Sequence, residues 1–433
     1  MYNIFKLDNG LRVVVEDIEY VNSVSVGLWV ENGSRNENHK NNGISHFIEH
    51  MLFKGTELRN SKQIAESIED VGGQINAFTG KETTCFYIKA LDTHLELSLD
   101  ILSDMLFNSK FSADDIEKEK GVVIEEINMS EDLPEDVLSD LHSKAIWGDE
   151  SISMPILGSV DTVSSFTRDQ LIQYVSSHYI PENCVLSISG KVDNNKIEAI
   201  VNKFFGKWGY ISSKQLTTYS NPIILNNHLF KQKDIEQMHV SLGLQGLETG
   251  NDDIYSLLLL NNMFGGGASS ILFQEIREKL GICYSIYSYI SSFKNTGVIS
   301  IYTGLNPKYT RQALETIKEQ MDKFTKLTIS DEKLIKLKEQ IKGNYILGLE
   351  STSSRMFSNG KSTLLLNKIN TPTDIIHKID SIKKENLYEV MEKTYKKGIE
   401  NSSFVGKDIE LNSLINIIEG DTVAFKNQKS KRV

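Results

Sequence analysis

Apolar residues in this chain recur with two periods, two and about three and a half, and the switches between them mark the elements. In "SVSVGLWV", Val24, Val26, Leu28 and Val30 alternate with other positions, which predicts a half-buried strand. Before it, "YNIFKL" and "LRVVVED" flank Asp8-Asn9-Gly10, a strong hairpin signal. "GISHFIEHMLFKGT" then reads as a helix, with Ser45 its candidate N-cap and Gly55 its stop. "SKQIAESIEDVGG" is a second helix, from Ser61 to the pair Gly72-Gly73. "QINAFTGKETTCFYIKAL" reads as strands, and Thr93–Asn108 and Ala113–Met129 are helical.

The second half has the same grammar. "QMHVSLGLQG" is a strand like "SVSVGLWV", and a helical run leads into "REKLGICYSIYSYISSFKNTGVISIYTGL", two strands followed by long helices. The endings of the halves also correspond. "VDTVSSFTRDQLIQYVSSHYIPENCVLSISG" and "IDSIKKENLYEVMEKTYKKGIENSSFVG" each carry a helical Leu, then a Tyr with a Gly eleven residues on: Tyr179 to Gly190 and Tyr395 to Gly406. An internal duplication is the expectation. It divides the chain into domains 1–210 and 223–425, a Ser/Thr/Asn-rich linker at 211–222, and a basic tail at 426–433 expected to be disordered.

Composition narrows the function. A chain of 433 residues exceeds what one core usually holds. The net charge of −11 argues against nucleic acid as a partner, since phosphate neutralisation needs clustered Lys and Arg. Cys85, Cys184 and Cys283 are sparse and odd in number, with no CxxC pair. They read as small buried hydrophobes in a reducing compartment. No apolar run approaches a membrane span, and the N-terminus enters a strand without a signal-peptide pattern. The expectation is a cytoplasmic chain with no membrane partner. Its wealth of Lys, Ile and Asn suits a bacterial source.

One helix carries the chemistry. His46, Glu49 and His50 interrupt the apolar run Ile44, Phe47, Ile48, Met51, Leu52 and Phe53, where unpaired burial would cost several kcal/mol. Histidines four apart share a helix face, so two imidazoles can reach one metal, with Glu49 beside them. The pattern H-x-x-E-H is the inverzincin motif. A catalytic zinc needs three protein ligands and an open position. "DDIEKEKGVVIEEINM" offers Glu117, Glu119, Glu125 and Glu126, of which Glu119 and Glu126 lie two helical turns apart. His142, His178 and His239 have no partner at helical spacing.

These segments resemble the M16 peptidases, the insulinase and pitrilysin group, and most closely the half-length subfamily of mitochondrial processing peptidase and bacterial processing proteases. "NGLRVVVE", "GLWVENGSRNE", "GISHFIEHMLFKGT", "GGQINAFTGKETTCFY" and "EKEKGVVIEEI" follow that family's pattern in order. Glu126 stands 76 positions past His50, where the family carries its third ligand. The resemblance implies His46, His50 and Glu126 as ligands of one zinc per subunit and Glu49 as general base, with Glu119 supporting a ligand. The ligand set also admits manganese or cobalt. "SSILFQEIREKLGICYSIYS" resembles the family's C-terminal motif, which implies that Arg277 and Tyr284 contact substrate near the scissile bond. "GGQINAFTG" resembles the edge strand on which substrate is laid, implying contacts from Asn76, Ala77 and Phe78. Gly265 to Gly267 match a loop position, but the long glycine-rich loop of the mitochondrial non-catalytic subunit is absent.

The implied fold is α+β: two homologous αβ domains, each an antiparallel sheet packed with helices. The implied function is a zinc metalloendopeptidase cleaving peptides or precursor leaders inside a chamber. Half-length members complete the site with a partner subunit. Because both motifs are intact here, a homodimer with two sites is the expectation, with a heterodimer the other possibility. The alternatives are a non-catalytic subunit of the same fold and a zinc-stabilised peptide-binding protein.

Overall fold

The computed structural model describes residues 2–209, 216–407 and 410–419. The expected tail at 426–433 and residues 211–215 of the expected linker lie outside those residues. The described strands form two sheets. In the first, β1 (Tyr2–Lys6), β2 (Arg12–Asp17), β3 (Ser23–Val30), β4 (Gln74–Thr79), β5 (Thr84–Leu91) and β6 (Cys184–Gly190) stand in the order β1-β2-β6-β3-β5-β4. In the second, β7 (His228–Gln232), β8 (Met238–Gln245), β9 (Cys283–Phe293), β10 (Thr296–Leu305) and β11 (Asn401–Gly406) stand in the order β7-β11-β8-β10-β9. Each sheet is antiparallel except for one pair, β2 with β6 and β7 with β11. The shared order is that of a duplication. Tyr179 and Tyr395, whose spacing to Gly190 and Gly406 suggested it, are both fully buried just before β6 and β11.

The helices of the first half are α1 (Ile44–Leu52), α2 (Ser61–Glu69), α3 (Leu95–Asn108), α4 (Ala113–Asp132) and α5 (Pro134–Trp147), followed by shorter ones up to Phe205. The chain divides into two compact units. One comprises Met1–Asn128, Met154–Tyr219 and Ile346–Thr371, the other Met129–Ser153, Ser220–Tyr345 and Pro372–Val433. Each unit has one large core between a face of its sheet and its helices. Leu28, Phe47, Ile48, Leu99 and Ile188 belong to the first core, and Leu242, Leu260, Phe264, Ile301 and Phe404 to the second.

Two segments depart from a consecutive division at residues 210 and 223. Helix α5 lies in the second unit, packed on β11, β8 and β7, and the helix Thr352–Leu366 lies in the first, packed on β3, β6 and β2. The reason is the second face of each sheet. In the first unit that face carries Val14, Trp29, Cys85 and Val185, which bury against Met356, Leu364 and Leu365. This also corrects the reading of β3 as half-buried. From Val24 onward every residue of β3 is buried. The positions that looked solvent-facing, Ser25 and Gly27, meet the helix instead: Ser25 Oγ lies 2.9 Å from Thr352 Oγ1, and Gly27 faces Met356. Arg355 closes the contact with an ion pair to buried Glu16.

Candidate metal centre

Helix α1 is built by its apolar side. Ile44, Phe47, Ile48, Met51 and Leu52 are buried at the spacing of one helix face, which turns His46, Glu49 and His50 to another side. Its start differs from the expectation. Ser45 lies inside the helix, and the N-cap is Gly43, at φ +93° and with no side chain to cap with. A Cβ there would stand 2.6 Å from Leu157 O, so glycine is required on both counts. A distant carboxylate caps in its place. Glu37 accepts from Gly43 N–H at 2.7 Å, Ser45 N–H at 2.8 Å and Asn42 Nδ2 at 2.9 Å. Its burial still raises its carboxyl above the usual range, against the pull of those donors.

Helix α4 supplies the third group. Ile116, Glu119 and Val123 are buried along one side of it, and Glu126 continues that row half-buried. Glu126 Oε2 lies 3.7 Å from His46 Nε2 and 3.5 Å from His50 Nε2. One ligand atom from each of the three lies within 4.8 Å of the others, and no second such group of three occurs among the described residues. Tetrahedral zinc with bonds of about 2.0–2.2 Å needs ligand atoms roughly 3.3–3.6 Å apart, so the site fits such an ion with little movement.

The charge state of His46 agrees with that fit. Burial, then the neighbouring His50, bring His46 down to about 4, which leaves it neutral with a free lone pair. Burial also pulls on His50, but its hydrogen bond to Glu119 and the charges of Glu126, Glu119 and Glu49 outweigh it, and its pKa is raised. Glu119 Oε1 lies 2.8 Å from His50 Nδ1, fixing the ring so that Nε2 faces Glu126. Lys54 Nζ holds the other oxygen of Glu119 at 2.6 Å. Burial raises Glu119, yet these two partners win and keep it ionised. By contrast, His46 Nδ1 is buried with no hydrogen-bond partner, so packing alone orients that ring.

Glu49 stands beside these groups without joining them. Its Oε2 accepts from Thr79 Oγ1 at 2.5 Å. Burial raises its pKa, and the Thr79 bond offsets part of the rise. The other acidic candidates sit elsewhere: Glu125 is exposed, and exposed Glu117 pairs with Lys120.

Asn76, Ala77 and Phe78 lie on β4, at the edge of the first sheet. Asn76 Oδ1 accepts the N–H of Ala77 at 2.8 Å. Phe78 is 38% exposed and packs edge-on against Trp29 and Phe357 at 5.6 and 5.7 Å between ring centres. Arg277 and Tyr284 lie in the second unit. The guanidinium sits 4.5 Å from the Phe273 ring centre and 5.3 Å from that of Tyr284, which is 77% exposed. His142, His178 and His239 have partners of their own in Ser300, Tyr174 and Tyr302. Sequence reasoning missed Glu37, Lys54 and Thr79, and only the Lys at four past His50 had a spacing that could have drawn attention to it.

Residues 12–160 match the family model described as Insulinase (Peptidase family M16), and residues 165–341 that described as Peptidase M16 inactive domain. The uncharacterized zinc protease YmxG of Bacillus subtilis is 44% identical over 88% of this chain and 93% of its own length. An uncharacterized zinc protease of Streptomyces coelicolor is 36% identical over 89% of this chain and 85% of its own. Among solved structures, a protease from Helicobacter pylori superposes with a TM-score of 0.88 at 24% identity, covering 94% of this chain and 99% of that one. A chain of complex III2 from Candida albicans, with a TM-score of 0.82 at 18% identity over 96% of this chain and 99% of that one, has the same fold. The chain belongs to peptidase family M16.

Proposed function

We propose that this chain is a zinc-dependent endopeptidase. The observation that carries the reading is the meeting of His46, His50 and Glu126 within 4.8 Å, with a fourth titratable group, Glu49, on the same helix and outside the ligand set. Zinc, when bound, acts as a Lewis acid on a carbonyl and makes water a nucleophile at neutral pH. Glu49 takes the proton of the attacking water and gives it to the leaving amine. Glu119 keeps His50 in the tautomer that offers Nε2. The free edge of β4 pairs with an extended peptide through backbone bonds, and the rings around Phe78 receive an apolar side chain. Arg277 holds a substrate carbonyl, and the exposed hydroxyl of Tyr284 donates to the developing oxyanion.

In the same proposal, two copies of the chain enclose a chamber, each copy binds one zinc, and the chamber admits short or unfolded peptides. The occupants are peptides or precursor leaders rather than nucleic acid. No helix among the described residues is long and apolar enough to cross a membrane.

The test is cleavage of a quenched fluorescent peptide library by purified protein, with and without zinc chelation, beside Glu49→Gln. Turnover should vanish on chelation and fall about 10²–10⁴-fold in the variant, which keeps its zinc. A zinc-loaded dimer that cleaves nothing would refute this reading in favour of a non-catalytic subunit of the same fold.

A further inference from the structure

Thr79 ends β4, the edge strand, and its side chain reaches the candidate centre through a hydrogen bond to Glu49. The direction of that bond is settled by what lies behind it. Thr84 stands opposite Thr79 in the β4–β5 register and is fully buried. Its hydroxyl is 2.9 Å from the carbonyl oxygen of Asn32 and 3.4 Å from Thr79 Oγ1, so its proton goes to Asn32. Thr79 therefore has its own proton free for Glu49, at 2.5 Å. A hydroxyl donating to Oε2 leaves Oε1 as the oxygen able to accept a proton.

We propose that Thr79 is a positioning residue: it ties the Glu49 carboxylate to the strand on which substrate is laid, holding one oxygen and presenting the other. This rests on the peptidase reading above. It adds that the base is aligned by β4 as well as by α1, so that peptide pairing with β4 and alignment of the base share one element. Asn76, one of the exposed residues that alternate along the strand, occupies the Ala77 N–H and has to turn away when a peptide pairs there.

The test compares Thr79→Val, close to isosteric, with Thr79→Ser, which restores the hydroxyl. Loss of one hydrogen bond to a charged group should lower kcat about ten- to a hundredfold in the valine variant, with KM within about twofold. Zinc content and melting temperature should stay near those of the unmodified chain, and serine should recover most of the rate. A second readout needs no turnover. A peptide hydroxamate gives up its N–OH proton to the base as it binds, so its affinity should fall by a similar factor in Thr79→Val and return in Thr79→Ser. Unchanged kcat and unchanged hydroxamate affinity in the valine variant would overturn the proposal, as would a serine variant no better than valine. Should the unmodified zinc-loaded chain cleave nothing, the peptidase reading falls, and the hydroxamate comparison still decides the role of Thr79. Should valine not fold, Thr79→Ala against Thr79→Ser decides it in the same assays.

Discussion

The two units use one strand order for different ends. In each, the third strand of the shared order, β3 or β8, leads to a helix that packs on the sheet: α1 in the first unit, Ile254–Gly265 in the second. Helix α1 buries one side and keeps His46, Glu49 and His50 on another. Its counterpart, "IYSLLLLNNMFG", has no titratable group except Tyr255 and buries Leu257, Leu259, Leu260, Met263 and Phe264. The same contrast holds at the edges. Strand β4 carries Thr79 under Glu49, whereas β9 carries Tyr284, Tyr287 and Tyr289, all exposed. The apolar positions hold the fold in both units, and the candidate metal ligands occupy the side of α1 turned away from its apolar face, met by one side of α4.

The contrast hides a dependence, and breaking it should give the largest effect. The first unit is incomplete without Thr352–Leu366, which covers Val14, Trp29 and Val185 and pairs Arg355 with Glu16. A fragment of residues 1–222 would expose that apolar face to water and leave Glu16 without its Arg355 partner. It should remain largely unfolded by circular dichroism and bind no zinc, and co-expression with the remaining residues should restore both. A fragment that folds alone and takes up zinc would show the exchanged helix to be dispensable.

The next pair of substitutions separates chemistry from packing. His46→Ala removes a proposed ligand from a helix side that lies outside the apolar core. Zinc per chain should drop from one to near zero, while the metal-free protein melts within a few degrees of the unmodified one. Leu260→Ala does the reverse. Leu260 is fully buried in the second unit's core, so its truncation should cost about 2–5 kcal/mol in urea unfolding while the folded fraction keeps its zinc. If Leu260→Ala lost zinc while still folded, the two units would not be separable in this way.

What could be read from the sequence follows the same line. Interactions within one helix were legible: four-residue spacing placed His46 and His50 on one face, and seven-residue spacing aligned Glu119 with Glu126. The repeat between the halves was partly legible, because the same Tyr-to-Gly spacing runs into the ends of β6 and β11. Linking α4 to α1 required the family's spacing, since no periodicity joins residues 50 and 126. The contacts of Glu37, Lys54 and Thr79 could not be read, because each is set by tertiary placement. The exchange of α5 and Thr352–Leu366 was illegible for a related reason. A strand covered on both faces shows Ser25 and Gly27 as if they faced water, when they are small to admit a helix.

The smallest effects test that last point with two helical glycines. A Cβ on Gly360 would overlap the Trp29 indole, so Gly360→Ala should destabilise by about 1–3 kcal/mol through overpacking. Gly343 lies in the helix Asp331–Gly348, where a Cβ would meet nothing within 4 Å. There alanine has only the backbone to act on, and narrowing the unfolded chain's freedom should stabilise by about 0.4–1 kcal/mol. The two changes are chemically identical and both sit in helices, so propensity alone predicts the same gain for each. Opposite shifts in the urea midpoint would show that Gly360 is kept small by the indole it meets. Equal gains would mean that the helix can shift away from Trp29, and that its seat on the first sheet is looser than the packing of Met356, Leu364 and Leu365 implies.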